Sequence, residues 1–138
     1  MAEKETSISL SAGRQDTAVP ELAYLGDAVM EVVIRERLVR HGLCGSAKLN
    51  EAALKYVKAT AQSEAVERIF PFLTEEEAAI YKLGRNQGHG KNTPRSATVA
   101  EYRRATGLEV LFGKLWLDGK TDRINELIGI GYEDLRGC

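Results

Sequence analysis

The sequence contains few of the residues that build disulfide frameworks, zinc clusters or membrane spans. Its 138 residues include only two cysteines, Cys44 and Cys138, which are too few for a disulfide framework and favour a reducing cytoplasm. There is no CxxC or HExxH motif, which argues against zinc. No apolar run approaches the roughly 20 residues of a membrane span, and residues 1–20 lack the apolar core of a signal peptide.

Charge is low overall but unevenly distributed. The formal net charge is −1, so the protein as a whole is not a basic nucleic-acid coat. From Lys82 to Arg104, however, the sequence has six basic residues and a single acid, Glu101, which gives that stretch a net charge of +5. A cationic segment on an acidic body indicates a local anionic partner.

The hydrophobic pattern predicts an all-α protein with five to seven helices. No segment alternates with a period of two for long enough to be a strand. Residues 1–17 are polar and aperiodic, and we expect a flexible tail there. Residues 18–138 have the length of one domain. The two most apolar predicted helices begin near Pro20 and Ala97, and the first half of the earlier one is apolar nearly all round, as in a deeply buried helix.

Local signals predict where other helices begin. Thr74 and Glu77 form a capping-box pattern, while Ser46 and Thr121 are candidate N-terminal caps. The block that follows Ser46 is long enough for one bent helix or for two helices that join near Thr60. The stretch QGHGKNTPRS, with two glycines and a proline, is predicted to be a loop.

Two acids, Asp27 and Glu109, occur within the two most apolar helices. A buried carboxylate is costly unless it is paired, protonated or bound to a cation. Each residue has an ordinary explanation, and for either one alone that explanation is favoured. Asp27 could be the N-cap of a helix that starts at Ala28. Glu109 could face solvent or pair with Lys114 or Arg104.

Taken together, the two acids predict a metal site. The two apolar helices should be central and should pack on each other, so the carboxylates would meet and raise each other's pKa. A divalent cation removes that conflict, and oxygen ligands suit Mg²⁺ or Mn²⁺. Glycine inside a helix costs about 1 kcal/mol relative to alanine, and one compensation is the close approach of another backbone. Gly26 and Gly113 therefore predict tight helix packing, within the chain or across a subunit interface.

At this point the motifs resemble a known family. The segment PELAYLGDAVMEVVIRERLV resembles the signature helix of ribonuclease III, and LEVLFGKLWLDG resembles the second carboxylate helix of that family. KYVKATAQ, and LGRNQ opening a basic loop that ends in NTPR, resemble the Mini-III class, which has no double-stranded-RNA-binding domain. The resemblance covers roughly residues 19–129.

The resemblance implies an all-α homodimer that cuts double-stranded RNA. It implies that Asp27 and Glu109 hold Mg²⁺, with Mn²⁺ as an alternative, and are the catalytic residues. The products would carry 5′-phosphate and 3′-hydroxyl ends. The Mini-III class further implies maturation of large-subunit ribosomal RNA precursor in a bacterial cytoplasm.

The basic segment is the predicted RNA contact. We expect Lys82, Arg85, Lys91 and Arg95 to contact phosphates and Asn86 and Asn92 to donate hydrogen bonds. The alternative for a charged loop is a solvated surface.

The sequence also departs from the family pattern. Ala23 and Thr106 stand where longer ribonuclease III enzymes have acids. Water, phosphate oxygens, Glu31 or Glu101 could complete the metal shell, although Glu31 is better explained by an ion pair with Arg35. The missing acids also keep open a second hypothesis, a catalytically inactive RNA-binding scaffold. A third hypothesis, a helical dimerisation module that touches DNA, lacks a recognisable recognition helix.

Overall fold

The computed structural model describes residues 17–87 and 97–135. These ranges contain six α-helices, two short 3-10 helices and no strand, so the all-α class and the predicted number of helices are confirmed. The α-helices are α1 (Val19–Arg40), α2 (Ser46–Val57), α3 (Ala59–Ile69), α4 (Glu75–Gln87), α5 (Val99–Leu117) and α6 (Thr121–Gly131). The 3-10 turns are Phe70–Phe72 and Glu133–Leu135. No helix in the described ranges has the length and apolarity needed to cross a bilayer.

Helices α1 and α5 form the centre of the molecule and pack on each other more extensively than any other pair. Met30 and Ile34 of α1 and Leu108, Leu111 and Phe112 of α5 are almost fully buried between them and the outer helices. The prediction that the two most apolar helices pack together is therefore confirmed.

Two glycines allow the backbones of α1 and α5 to touch. A Cβ atom on Gly26 would overlap the main-chain carbonyl of Glu109, and one on Gly113 would overlap the carbonyl of Leu22. Both glycines thus compensate for their low helix propensity by permitting close approach. The tight packing predicted for Gly26 occurs within one chain.

The outer helices complete the core. α3, α4 and α6 pack around α5, and α2 packs on α1. Arg37, a buried residue of α1, donates hydrogen bonds to the carbonyl oxygens of Leu135 (3.0 Å) and Asn125 (2.8 Å). This side chain ties α1 to the C-terminal end of the described chain.

The helix-end predictions are partly confirmed. The capping box at α4 is present: the backbone N–H of Thr74 donates to Glu77 Oε1 (2.9 Å), and that of Glu77 donates to Thr74 Oγ1 (3.1 Å). The block after Ser46 forms two helices, and the joint is the extended residue Lys58 rather than Thr60.

Two predicted caps are wrong. Ser46 and Thr121 are the first helical residues of α2 and α6, and the cap positions are Gly45 and Lys120, neither of which makes a side-chain cap hydrogen bond. The hydroxyl residues favour the first helical turn, but the chain enters each helix one residue earlier than the pattern suggested.

One side of α1 is uncovered, contrary to the expectation of a deeply buried helix. Tyr24 is 84% exposed, and Val32 and Val39 are each 58% exposed. These residues lie on one side of the helix, within a sector of about 80°, because seven residues are almost two whole turns and eight residues are about 80° more than two turns. Trp116 of α5 is also exposed, whereas Tyr81 and Phe112 are buried.

Candidate active site

Asp27 and Glu109 meet where α1 and α5 are closest. Asp27 follows Gly26, the residue that lies against the backbone of Glu109. The two carboxyl groups are within hydrogen-bonding reach of each other. Residues 82 positions apart in the sequence are therefore brought together by helix packing.

The pairing strongly perturbs Glu109. Burial, the negative charge of Asp27 and the hydrogen bond to Asp27 together raise the pKa of Glu109 to about 8. At neutral pH and without a cation, the Glu109 carboxyl group is mostly protonated and can donate to the Asp27 carboxylate. A strongly perturbed pKa of this kind is typical of functional sites.

No basic side chain neutralises the pair within the described residues. Lys114 pairs with Asp118 (3.1 Å), and Arg104 donates to Ser63 Oγ (2.6 Å). The two candidate ion pairs of Glu109 are therefore wrong. Its pKa is raised first by burial and then by the neighbouring charge of the same sign on Asp27.

The position of Asp27 also corrects two expectations. It lies well inside the continuous helix α1, so it is not an N-cap. Its side chain is exposed, whereas Glu109 is partly buried. The pair is thus at the surface edge of the α1–α5 contact rather than enclosed in the core, and a large substrate can reach it.

The donor set fits a hard divalent cation that keeps several other ligands. In the described ranges no cluster of three or more acidic, histidine or cysteine side chains forms a metal cage. Mg²⁺ typically takes one or two protein carboxylates and completes its shell with water and substrate phosphate. Asp27 and Glu109 supply two such carboxylates, with no competing basic residue.

The other candidate ligands are engaged elsewhere. Glu31 forms the predicted ion pair with Arg35 (2.9 Å). Glu101 completes a capping box with Thr98 and lies eight residues before Glu109, which is about 12 Å along the helix axis. Glu31 lies one turn beyond Asp27 on α1, but in the described ranges it does not form a three-acid cluster with the pair.

The positions that lack acids have ordinary helix environments. Ala23 packs against the small apolar cluster formed by Val19, Leu22 and Val110. Thr106 donates its hydroxyl to the carbonyl oxygen of Tyr102 (3.0 Å), one turn earlier on α5. Neither residue supplies a charged ligand.

Three of the six predicted RNA-contacting residues lie on the last turns of α4. Lys82 is over the Phe70 ring, with Nζ 5.7 Å from the centroid, and is exposed. The Arg85 guanidinium is 5.8 Å from the centroid of Tyr81, and its Nε donates to Asn86 Oδ1 (3.2 Å). Lys91, Asn92 and Arg95 lie outside the described residues.

Two basic residues not among the predicted contacts share a groove with this region. Arg103 and Arg104, on the first turns of α5, line a cavity together with Arg85 and Asn86. The sequence offered a signal, since Thr98 and Glu101 form a capping-box pattern that starts α5 just before these arginines. That the new helix returns beside the end of α4 is a tertiary feature.

Sequence comparison identifies related proteins. The family model for the ribonuclease III domain matches residues 20–120. The Mini-ribonuclease 3 of Symbiobacterium thermophilum is 45% identical over 108 residues, which cover 78% of this chain and 82% of that protein. The Mini-ribonuclease 3 of Brevibacillus brevis is 38% identical over 116 residues, which cover 84% of this chain and 86% of that protein.

Structural comparison agrees. The X-ray crystal structure of a Fusobacterium nucleatum protein superposes with a TM-score of 0.74 and is 36% identical in sequence. The match covers 83% of this chain and 92% of that one.

Proposed function

The chain belongs to the ribonuclease III family, in its Mini-ribonuclease 3 class, and is an endoribonuclease; on that premise we propose that it uses Mg²⁺ to hydrolyse double-stranded RNA. The observation that carries this proposal is the Asp27–Glu109 pair: two carboxyl groups in hydrogen-bonding reach, with no cationic partner in the described chain. We infer that residues 18–138 form the catalytic domain.

Asp27 and Glu109 are the residues that would hold the metal. Bound Mg²⁺ would lower the pKa of water and neutralise charge that develops on the scissile phosphate. The exposed Asp27 carboxylate faces the substrate side, and the partly buried Glu109 fixes the inner edge of the site. The backbone contact at Gly26 holds the two side chains in register, so little reorganisation is needed when substrate arrives.

The substrate assignment draws on the basic residues beside the site. Lys82, Arg85 and Asn86 would contact the phosphate backbone, together with Lys91, Asn92 and Arg95. A-form RNA is recognised by shape, phosphates and 2′-hydroxyls, with little base readout. We expect steep salt dependence, because most affinity would come from the release of counterions.

We propose that the active form is a homodimer. The exposed face of α1 carries an apolar strip formed by Tyr24, Val32 and Val39. An aromatic side chain exposed to 84% beside such a strip is typical of an interface. The strip runs next to Asp27, so a two-fold contact would bring two cutting sites together, one for each strand.

The biological role we propose is maturation of large-subunit ribosomal RNA precursor in the cytoplasm, with 5′-phosphate and 3′-hydroxyl products. The names of the relatives support the class of enzyme, and the end chemistry follows if water attacks phosphorus and the 3′ oxygen leaves. Mn²⁺ would substitute for Mg²⁺, since both accept carboxylate oxygen ligands.

A second candidate function is an inactive RNA-binding scaffold. The uncharged residues Ala23 and Thr106 favour it, because they leave only two carboxylates in the site. Against it stands the unfavourable Asp27–Glu109 pair, which an inactive scaffold would have no need to keep.

A cleavage assay tests the proposal. The full chain is incubated with a long RNA duplex and either Mg²⁺ or EDTA, beside Glu109→Gln and the control Glu67→Gln, which makes the same change at an exposed site of α3. We expect wild type and Glu67→Gln to cut only with Mg²⁺, and Glu109→Gln to lose about a thousandfold in rate. Labelled ends identify the products. Tight duplex binding without cutting under any metal would favour the scaffold.

Light scattering tests the dimer separately. The wild-type chain should elute at about twice 15.2 kDa, and Tyr24→Asp should shift it toward the monomer. A wild-type monomer at micromolar concentration would contradict the paired-site arrangement.

A further inference from the structure

A groove of about 350 Å³ lies between the end of α4 and the start of α5. Its lining consists of Arg85, Asn86, Val99, Ala100, Arg103 and Arg104. Three arginines thus line one cavity, and among the described residues no acidic one lines it. The lining residues are drawn from two helices that the tertiary fold brings together.

These three arginines differ from others on the described helices. Arg35 pairs with Glu31 (2.9 Å), Arg40 with Glu36 (2.8 Å) and Arg123 with Glu77 (2.8 Å). Within the described ranges, no such ion pair is formed by the arginines that line the groove. The nearby Glu101, on the same turns of α5, directs its carboxylate to the backbone of Thr98 instead (2.9 Å). The positive charge of the groove is therefore left uncompensated.

Two of the three side chains are held in place. Arg104 Nε donates to the hydroxyl of Ser63 (2.6 Å), a buried residue of α3. The Arg85 guanidinium stacks over Tyr81 and donates through Nε to Asn86 Oδ1 (3.2 Å). Both of these hydrogen bonds use Nε; Arg85 also hydrogen-bonds the Tyr81 side chain, so Nη donors remain in full on Arg104 and in part on Arg85. A fixed guanidinium loses less entropy when it binds an oxyanion than a free one does.

Arg85 and Arg104 both lie near enough to Tyr81 for their charges to act on its hydroxyl group. The positive charges of Arg85 and Arg104 both lower the pKa of the Tyr81 hydroxyl, against the larger effect of burial, which raises it. Like charges that line one cavity repel each other, and an anion bound among them relieves that repulsion.

We propose that the groove formed by Arg85, Arg103 and Arg104 is a phosphate-binding subsite that holds the RNA backbone away from the cleaved bond. This inference rests on the proposed function. Arginine forks match the oxygens of a phosphodiester, and the adjacent Val99 and Ala100 offer an apolar surface to a ribose. The subsite adds affinity and fixes the position of the duplex without taking part in the chemistry.

Salt-dependent binding tests the proposal. A fluorescein-labelled RNA duplex is titrated in EDTA at several KCl concentrations with wild type, Arg103→Gln, Arg104→Gln and the double variant. The control, Arg68→Gln, removes an equal charge from an exposed residue outside the groove. We expect each single groove variant to weaken binding about three- to tenfold and to reduce the salt slope by about 1, the double variant to reduce the slope by about 2, and the control to show no change.

A second measurement separates positioning from charge. Ser63→Ala removes the anchor of Arg104 but keeps all three charges, so affinity should fall about twofold or more while the salt slope stays at the wild-type value. In the cleavage reaction, the arginine variants should raise KM and leave kcat unchanged, because Asp27 and Glu109 are intact. Circular dichroism melting checks that every variant is folded.

The outcomes distinguish the two proposals. If wild type binds and cuts the duplex while Arg103→Gln and Arg104→Gln keep its affinity and slope, the groove proposal is overturned and the nuclease stands. Equal losses in Arg68→Gln would also overturn it, because the effect would then be one of general charge. A wild type that neither binds nor cuts the duplex would overturn the proposed function and the groove with it.

Discussion

Two glutamates in this protein occupy similar positions with opposite consequences. Glu77 of α4 and Glu109 of α5 are both at least partly buried on helices. Glu77 accepts hydrogen bonds from Arg123 Nε (2.9 Å) and Nη2 (2.8 Å), and its pKa is lowered, chiefly by that guanidinium. Glu109 faces Asp27, and its pKa is raised to about 8.

Burial raises the pKa of both carboxyl groups, and the partner decides whether that effect is outweighed, as it is by Arg123 at Glu77, or reinforced, as it is by Asp27 at Glu109. Arg123 neutralises Glu77 and also donates to the carbonyl oxygen of Phe72 (2.7 Å). Its side chain therefore joins α6 to the 3-10 turn before α4. The Glu77–Arg123 contact is a structural ion pair. At Glu109, burial and the like charge of Asp27 both disfavour the ionised carboxylate, which is the pattern expected of a site built to receive a cation.

The largest expected effect comes from making Glu77 resemble Glu109. Arg123→Met removes the cation and leaves Glu77 without its partner, which should cost about 3 to 5 kcal/mol of unfolding free energy. Urea unfolding measures it. The control Glu126→Gln removes only the exposed second partner of Arg123 and should change stability by less than about 0.5 kcal/mol. Equal losses of unfolding free energy in both variants would show that the Glu77–Arg123 pair contributes no more to stability than the exposed Glu126–Arg123 pair.

A smaller effect, of opposite sign, is expected at Glu109. A group with a raised folded-state pKa contributes stability that is fully present below its ordinary value of 4.5 and is lost as pH rises towards about 8. In EDTA at pH 9, Glu109→Gln should therefore be more stable than wild type by about 2 kcal/mol, allowing for partial solvent screening. Thermal unfolding from about pH 5 to about pH 9 measures the difference in stability between Glu109→Gln and wild type. A stability difference that does not grow as the pH rises would contradict the interpretation that Glu109 has no neutralising partner.

The smallest effect is the acid-side counterpart at Glu77. Its lowered pKa contributes stability that is present above the ordinary value of 4.5 and is lost as pH falls through the folded-state value. Glu77→Gln should thus cost about 1 kcal/mol at neutral pH, and the difference from wild type should shrink in acid. Chemical denaturation at neutral pH and in acid buffers provides the measurement. A constant difference would mean that the capping box, rather than the ion pair, is what the variant removes.

Much of the fold could be predicted from the sequence because its signals are local. The apolar helices, the capping box at Thr74 and the central packing of α1 on α5 follow from periodicity, cap chemistry and the two glycines. The meeting of Asp27 with Glu109 followed from the expectation that the two most apolar helices pack together.

The features that escaped prediction depend on which surfaces the tertiary fold covers. Asp27 and Tyr24 are exposed because one side of α1 has no neighbour in the described chain, which an almost uniformly apolar segment does not reveal. The Glu77–Arg123 pair joins residues 46 positions apart. The placement of Arg103 beside Arg85 likewise requires knowing that α5 returns to the end of α4.

The contact between Gly26 and the backbone of Glu109 has a consequence for how this enzyme can change. The separation of the two carboxyl groups is set by main chain against a missing side chain, so no rotamer adjustment can compensate for an added methyl group at residue 26. Any substitution there must move α5, and with it the packing of the whole centre. At residue 26 the spacing of the proposed catalytic pair and the packing of the core depend on the same contact, so neither can be changed while the other is kept.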